Sequence, residues 1–313
     1  MQPKFSFAAL LGAVAMFGVV LAADAIFDAL PNRQPEPPAV AALYVEPIEI
    51  SGDLAPLVLA GAWRLTSPEP RFGGISGLAL DGDQFVALTD AGAILRFSKA
   101  LRPGSPVAVA ELPSGPGSAR FKQNRDSEAI VRDPAGRGWW VAFEGRDALW
   151  LYDTGFTRAL THIWVQPEGL GYNTGIEGLV ARPDALIAFP ESGGVVLGWS
   201  RAGRTNVPRK PQSPISDAAQ IDGQSVFLLE RRVTALGFRT ALTFARPDGA
   251  SFRTAWRRRL PVRRRDNLEG IAAEPLTGGG YRVWIISDDN FHPRLRTVLL
   301  AIDVPAALLP KRP

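Results

Sequence analysis

Beyond residue 51 the apolar and polar positions of this chain alternate in short runs, and no long stretch keeps a helical period. Five runs are almost wholly apolar: "FVALTD" (85–90), "GWWVAF" (138–143), "ALIAFP" (185–190), "SVFLLE" (225–230) and "RVWIISD" (282–288). Their length, their Val, Ile, Phe and Trp content and the Gly, Pro and Asp around them predict buried β-strands. Each is preceded by a shorter run: "ISGLAL" (75–80), "SEAIV" (127–131), "IEGLV" (176–180), "SDAAQI" (216–221) and "LEGIAA" (268–273). Each is followed by a third, from "AILRFS" (93–98) to "RTVLLAID" (296–303).

A fourth strand is predicted after the first, second and fourth units: "PVAVAEL" (106–112), "ALTHIWV" (159–165) and "FRTAWRRRL" (252–260). The last unit lacks one, and the N-terminal "LVLAGAWRLT" (57–66) is a strand without a partner. Four strands repeating at intervals of about 40–50 residues predict an all-β fold, a single β-propeller of four-stranded antiparallel blades. Pairing the N-terminal strand with the last unit closes the ring and covers its edges. Five repeats are counted. A sixth could lie in the poorly matched stretch 200–216, so five or six blades are both open. A two-sheet sandwich is the alternative, but it gives no reason for one phrase to recur.

The repeat carries acids at matching places. In the first strand of each unit the row reads Ser76, Glu128, Glu177, Asp217 and Glu269, and at the end of the second it reads Asp90, Glu144, Glu191, Glu230 and Asp288. In a propeller the first strands line the axis, so these carboxylates are expected to converge. Converging carboxylates repel, which raises their pKa values or calls for a cation. An all-oxygen donor set suits Ca²⁺. The expected metal ligands are Glu128, Glu177, Glu269, Asp288 and Asp289, and the expected catalytic acids are Glu128, Glu177 and Glu269. The small residue after each of these glutamates is expected to let the inner strands pack closely. Arg125, Arg146 and Arg265 stand beside these acids and offer guanidinium forks for a phosphate or carboxylate. Each acid–arginine neighbour pair is also readable as a plain loop salt bridge, and polar channel residues often hold only water.

Composition then excludes much chemistry. The 313 residues contain no cysteine and only two histidines, His162 and His292. That removes disulfides, thiolate metal sites, a Cys nucleophile and a His-rich zinc or iron site. There is no G-x-S-x-G elbow, Walker loop or dinucleotide fingerprint in strand–helix context. The net charge of +4 is mild, and its clearest local source is the arginine run "RRRLPVRRR" (257–265). That run can attract an anion, or it can be a solvated edge. No nucleic-acid motif accompanies it.

The N-terminus addresses location. An uncharged apolar run extends from Phe5 to Ala23, with Ala23-Asp24-Ala25 offering a cleavage site. Residues 1–25 read as a signal peptide or an uncleaved membrane anchor. Residues 26–50 read as a Pro-rich linker, 51–306 as the propeller and 307–313 as a tail. The expected location is periplasmic or secreted, with the membrane touched only through the N-terminal segment. The protein is expected to be a monomer.

Several of these phrases together are distinctive. "FGGISGLAL" with "FVALTD", then "SEAIV", "GIEGLV", "NLEGI", "ISDDNF" (286–291) and "RTVLLAI" resemble the phytase-like family, described as having the esterase-like activity of phytase. The resemblance runs over about residues 55–305, and the fourth unit departs from it because Asp217 is followed by Ala218. It implies an exported propeller that hydrolyses phosphate esters, an anionic small-molecule substrate and, with the acid rows, a metal-dependent site. A non-enzymatic scaffold of the cell envelope and a metal-dependent lactonase or carboxylesterase are the alternatives.

Overall fold

The computed structural model describes residues 34–144, 146–165, 175–210, 213–249 and 251–309. The expected signal or anchor segment lies outside the described residues. Two strands come first, β1 (Ala39–Pro47) and β2 (Val58–Thr66). The first repeat unit is β3 (Ile75–Asp81), β4 (Gln84–Thr89), β5 (Ala93–Ser98) and β6 (Ser105–Glu111). The second is β7 (Ser127–Arg132), β8 (Gly138–Phe143), β9 (Ala148–Asp153) and β10 (Ala159–Trp164). The third is β11 (Ile176–Ala181), β12 (Ala185–Pro190), β13 (Val195–Ser200) and β14 (Gly203–Pro208). The fourth is β15 (Ile215–Ile221), β16 (Ser225–Thr234), β17 (Gly237–Asp248) and β18 (Ser251–Arg259). The fifth is β19 (Asn267–Pro275), β20 (Tyr281–Asp288) and β21 (Thr297–Val304), completed by β2 on its outer edge.

The chain is therefore all-β, built from four-stranded antiparallel sheets. The N-terminal strand β2 pairs with β21 as the sequence pattern requires, Leu65 facing Thr297 and Val58 facing Asp303. The stretch 200–216 holds β14 and the approach to β15, and no sixth unit occurs among the described residues.

The first strands of the five units touch in cyclic order, β3 to β7, β11, β15, β19 and back to β3. The apolar core follows the same cycle. Five clusters of buried side chains sit between adjacent units: one joins units one and two through Val86, Trp139 and Val141, and another joins units three and four through Phe189 and Val226. Between units five and one, Trp284 packs edge-on to Phe85 at 4.9 Å. Each such large side chain contributes about 1.5–3 kcal/mol on burial. No unit can bury both faces of its sheet alone, so every unit is held by its two neighbours.

Two boundaries differ from the sequence reading. Within the expected linker, residues 39–47 form β1, which pairs with β2 on one side and β6 on the other and joins units one and five into a nine-stranded sheet. The cause is a period of two in "LYVE": Leu43 and Val45 are buried while Tyr44 and Glu46 face out. The prolines just upstream obscure that alternation. At the other end, the expected tail begins docked, because Trp256 donates its indole N–H to the Leu308 carbonyl at 2.9 Å.

Candidate active site

The acids reach one place because each first strand is bulged at one residue. The ladder between first and second strands skips Ser76, Glu128, Glu177, Ser216 and Glu269 in units one to five. A bulge leaves one residue unpaired and re-aims its side chain. The small residue that follows lets the inner strands approach. A Cβ added at Gly178 would lie 2.9 Å from the Ala218 Cβ, and one at Gly270 would lie 3.0 Å from the Leu78 Cβ.

The register corrects the fourth unit by one residue. Its bulge residue is Ser216, not Asp217. Ser216 Oγ donates to the Leu229 and Leu268 carbonyls, just as Ser76 Oγ donates to those of Leu88 and Ser127. Asp217 is buried and structural: its carboxylate accepts the Ile271 N–H at 2.7 Å and the Ala218 N–H at 2.6 Å. Burial nevertheless pushes its pKa well up.

The second row shifts likewise. The residue that follows the partner of the pre-bulge residue is Asp90, Glu144, Glu191, Arg231 or Asp288. The backbone N–H groups of Asp90, Glu144, Glu191 and Arg231 donate to equivalent carbonyls, of Gly74, Asp126, Gly175 and Pro214. The fourth unit thus places a guanidinium where the others place a carboxylate. Glu230 points to the opposite face, fully buried, between Arg209 at 3.4 Å and Arg257 at 2.7 Å.

Around the axis the acids fall into two groups. In the first, Asp126, Glu128 and Glu144 each offer a carboxylate oxygen, and the three oxygens lie within 4.8 Å of one another. That span suits one cation with oxygens at Ca²⁺ distances of about 2.3–2.6 Å. In the second, Arg231 donates to Glu269, donates to Asn267 Oδ1 at 2.5 Å and lies 3.8 Å from Glu191. Asn267 in turn donates to Glu269 at 2.8 Å and to Asp288 at 3.3 Å.

The electrostatics follow from this crowding. Burial, and then Glu177, Asp126, Glu144 and Glu269, hold the Glu128 pKa well above the usual carboxylate range. Glu177 is raised by burial and then by Glu144 and Glu269. Burial first, with Asp126 next, pushes Glu144 to about 7. Asp288 reaches about 8 through burial and Glu269, and Asp90 about 6 through burial, although Lys122 opposes it. Glu269 is raised by burial too, with Arg231 pulling against the shift. The buried Oδ1 of Asp90 has no hydrogen-bond donor among the described residues.

The scan against family models matches residues 70–291 to the phytase-like model, described as esterase-like activity of phytase. The chain belongs to the phytase-like family. No protein of curated function matches its sequence. Among solved structures, this phytase-like chain is similar to glutaminyl cyclase from Myxococcus xanthus, a β-propeller-like fold, at 14% identity and a TM-score of 0.53. That likeness covers 84% of this chain and 99% of the other, and it concerns the fold alone. Hydrazine synthase from Kuenenia stuttgartiensis matches at 13% identity and a TM-score of 0.42, covering 76% of this chain and 65% of that one.

In the phytase-like protein the expected residues part company. Glu128, Glu177, Glu269 and Asp288 all face the axial cluster, as their mutual electrostatic influence requires. Asp289 does not. Its carboxylate accepts the Gly74 N–H at 3.0 Å and the Thr297 hydroxyl at 2.9 Å, tying unit five to unit one. Of the three arginines expected to clamp an anion, two are engaged by Asn124 and the third is exposed. Arg125 is buried and donates to the Asn124 carbonyl, Arg146 donates to Asn124 Oδ1 and Arg265 is exposed. The cations beside the acids are Arg231 and Lys122, the latter 2.9 Å from Asp126 and 3.7 Å from Asp90. Asp126 was visible only as a neighbour of Glu128 in sequence; Arg231 was hidden by the one-residue slip.

Proposed function

We propose that this phytase-like chain is an exported five-bladed β-propeller that hydrolyses phosphate esters at the acidic end of its axis with a divalent cation, Ca²⁺ in the first instance. The observation that carries the reading is the Asp126–Glu128–Glu144 oxygen cluster, three half-buried acids within reach of one ion. The orphaned Asp90 Oδ1 beside it adds a further unmet acceptor. These residues fit a hard cation. When bound, it would offset their repulsion and supply Lewis acidity toward an ester oxygen.

The chain's own groups divide the remaining work. Glu128 and Glu144 position the cation, and Asp126, held by Lys122, completes the set. Glu177, whose pKa burial raises above the usual carboxylate range, is the group suited to hold or accept a proton at its carboxylate. Arg231 fixes Glu269 and keeps that side of the funnel from accumulating charge. An anionic substrate approaches such a funnel only when the acids are neutralised, which makes cation binding a precondition for phosphate.

The engagement of both Arg125 and Arg146 by Asn124 favours a second reading, a neutral carboxylic ester or lactone as substrate at the same centre. Both readings are tested by one panel of phosphate monoesters, carboxylic esters and lactones, assayed with Ca²⁺ and with EDTA. Chelator-sensitive phosphate release supports the first, and chelator-sensitive turnover of neutral esters alone supports the second. Turnover that ignores the chelator, or none on any substrate, overturns the metal-dependent hydrolase.

A further inference from the structure

The arginine run that the proposed reaction does not use builds a cavity of its own. β16 and β17 of the fourth unit are longer than their counterparts and end in the hairpin 234–237. At the base of that hairpin lies a cavity of about 250 Å³ lined by Ser213, Arg232, Arg239, Thr240, Arg257 and Arg259. The register explains why four arginines meet. Arg232 stands opposite Arg239, Glu230 opposite Ala241, and Ala241 opposite Arg259. Arg257 lies two residues from Arg259, so all four guanidiniums share one face of the sheet. Arg231, one residue from both Glu230 and Arg232, points the other way into the acid cluster. A single strand therefore presents an acidic site on one face and a basic one on the other.

Among the described residues the carboxylate seen at these arginines is Glu230, and it serves Arg209 and Arg257. Like charges directly opposite on an antiparallel pair are unfavourable, and Arg232 stands directly opposite Arg239, so an anion lying between them would be favoured. Arg257 also reaches the Ser213 hydroxyl at 3.3 Å, which sets a hydroxyl beside the guanidiniums. Several planar forks with a neighbouring hydroxyl match a tetrahedral oxyanion carrying more than one negative charge.

We propose that this cavity is a phosphate-binding site, separate from the axial acids, whose ligand is a phosphate group carried either by a soluble polyphosphorylated molecule or by a lipid headgroup. The second source enters because the adjoining hairpin tip carries Leu236, 70% exposed, and Val233, 69% exposed on the face opposite the arginines. Apolar side chains beside a basic site suit a bilayer surface.

The test uses the purified full chain in EDTA, so that no divalent cation can bridge an anion to the axial acids. Tripolyphosphate binding is measured by calorimetry, and vesicle binding by co-sedimentation with phosphatidylglycerol against phosphatidylcholine. Arg239→Gln and Arg259→Gln are each expected to weaken binding about tenfold. Arg258→Gln removes the same charge one residue away on the opposite face of β18, and is expected to change nothing. Loss of tripolyphosphate binding in the cavity variants supports the site with a soluble ligand. Loss of phosphatidylglycerol binding alone supports it with a lipid headgroup. If neither probe distinguishes the cavity variants from the wild type, or if Arg258→Gln weakens binding equally, the proposal is overturned. Because the N-terminal segment is common to all variants, its own affinity for vesicles cancels in the comparison.

Discussion

Arg231 of β16 donates to Glu269 of β19, so the fourth unit supplies the counter-charge for an acid of the fifth. Both side chains are largely desolvated, and Asn267 bridges them on the same side. Removing the guanidinium leaves Glu269 facing Glu177 and Glu191 without a cation, a situation that typically costs about 3–5 kcal/mol for a buried pair. Arg231→Gln is therefore expected to lower unfolding stability by about 3 kcal/mol at pH 8. The penalty is expected to be smaller at pH 5, because burial raises this acid's pKa and so favours its neutral form as pH falls. Urea unfolding of both proteins at the two pH values checks this.

Glu128 and Glu144 repel each other and Asp126 unless a cation lies among them. Glu144→Gln is expected to stabilise the cation-free protein by about 1 kcal/mol and to abolish the gain in stability on adding Ca²⁺. For the wild type that gain is about 2.7 kcal/mol at a concentration a hundred times the Kd. Thermal unfolding with and without Ca²⁺ reads both effects. A variant that still gains stability from Ca²⁺ would place the ion elsewhere.

The same acids make stability depend on pH in a definite direction. Asp90, Glu144 and Asp288 titrate at about 6, 7 and 8 in the folded protein, all above their ordinary values. Between the ordinary carboxylate range and these values the folded state holds more protons than the unfolded one, so stability falls as pH rises. Well below the ordinary carboxylate values both states are protonated and the stabilisation is fully present; it is lost as pH rises through about 6, 7 and 8, and the loss is complete only above the last of these. Cation-free protein is thus expected to unfold more easily at pH 8 than at pH 5, with Ca²⁺ flattening the slope. Denaturation midpoints across pH 4–9 in EDTA and in Ca²⁺ give the comparison.

The recurring phrase around Glu128, Glu177 and Glu269 made the repeat legible, because burial of each unit against the next forces the same alternation each time. The outer strand β2 was legible for the same reason: it was an apolar strand with no partner. The fourth unit misled because "ISDAAQI" and "FLLERR" each offer an acid one residue from the true position, and spacing alone cannot locate a bulge. The serine row, Ser76 and Ser216, is recoverable only from the register. Asp126 and Arg231 join the site through the bend of the chain, which no period encodes. That Arg125 and Arg146 both bond Asn124 was not legible, because sequence adjacency to an acid says nothing of which side of a strand or turn a guanidinium takes.

Closure of the ring between units five and one rests on the absence of a side chain at Gly270. A Cβ there would lie 2.7 Å from Ile286 Cγ2, 3.0 Å from the Leu78 Cβ and 3.1 Å from the Gly77 carbonyl carbon. Two of those neighbours belong to unit one, so relief would have to come from separating β19 and β3 rather than from one rotamer. Overpacking of this kind costs about 1–3 kcal/mol. Gly270→Ala is expected to lower the urea midpoint by that amount with an unchanged slope. Gly278→Ala, where an added Cβ meets open space, is expected to stay within about 0.5 kcal/mol of the wild type. Equal stability of the two variants would mean that the inner strands are not held at the spacing described. Because Gly270 follows Glu269 directly, the same variant is expected to weaken Ca²⁺-dependent stabilisation less than Glu144→Gln does, separating ring closure from cation binding.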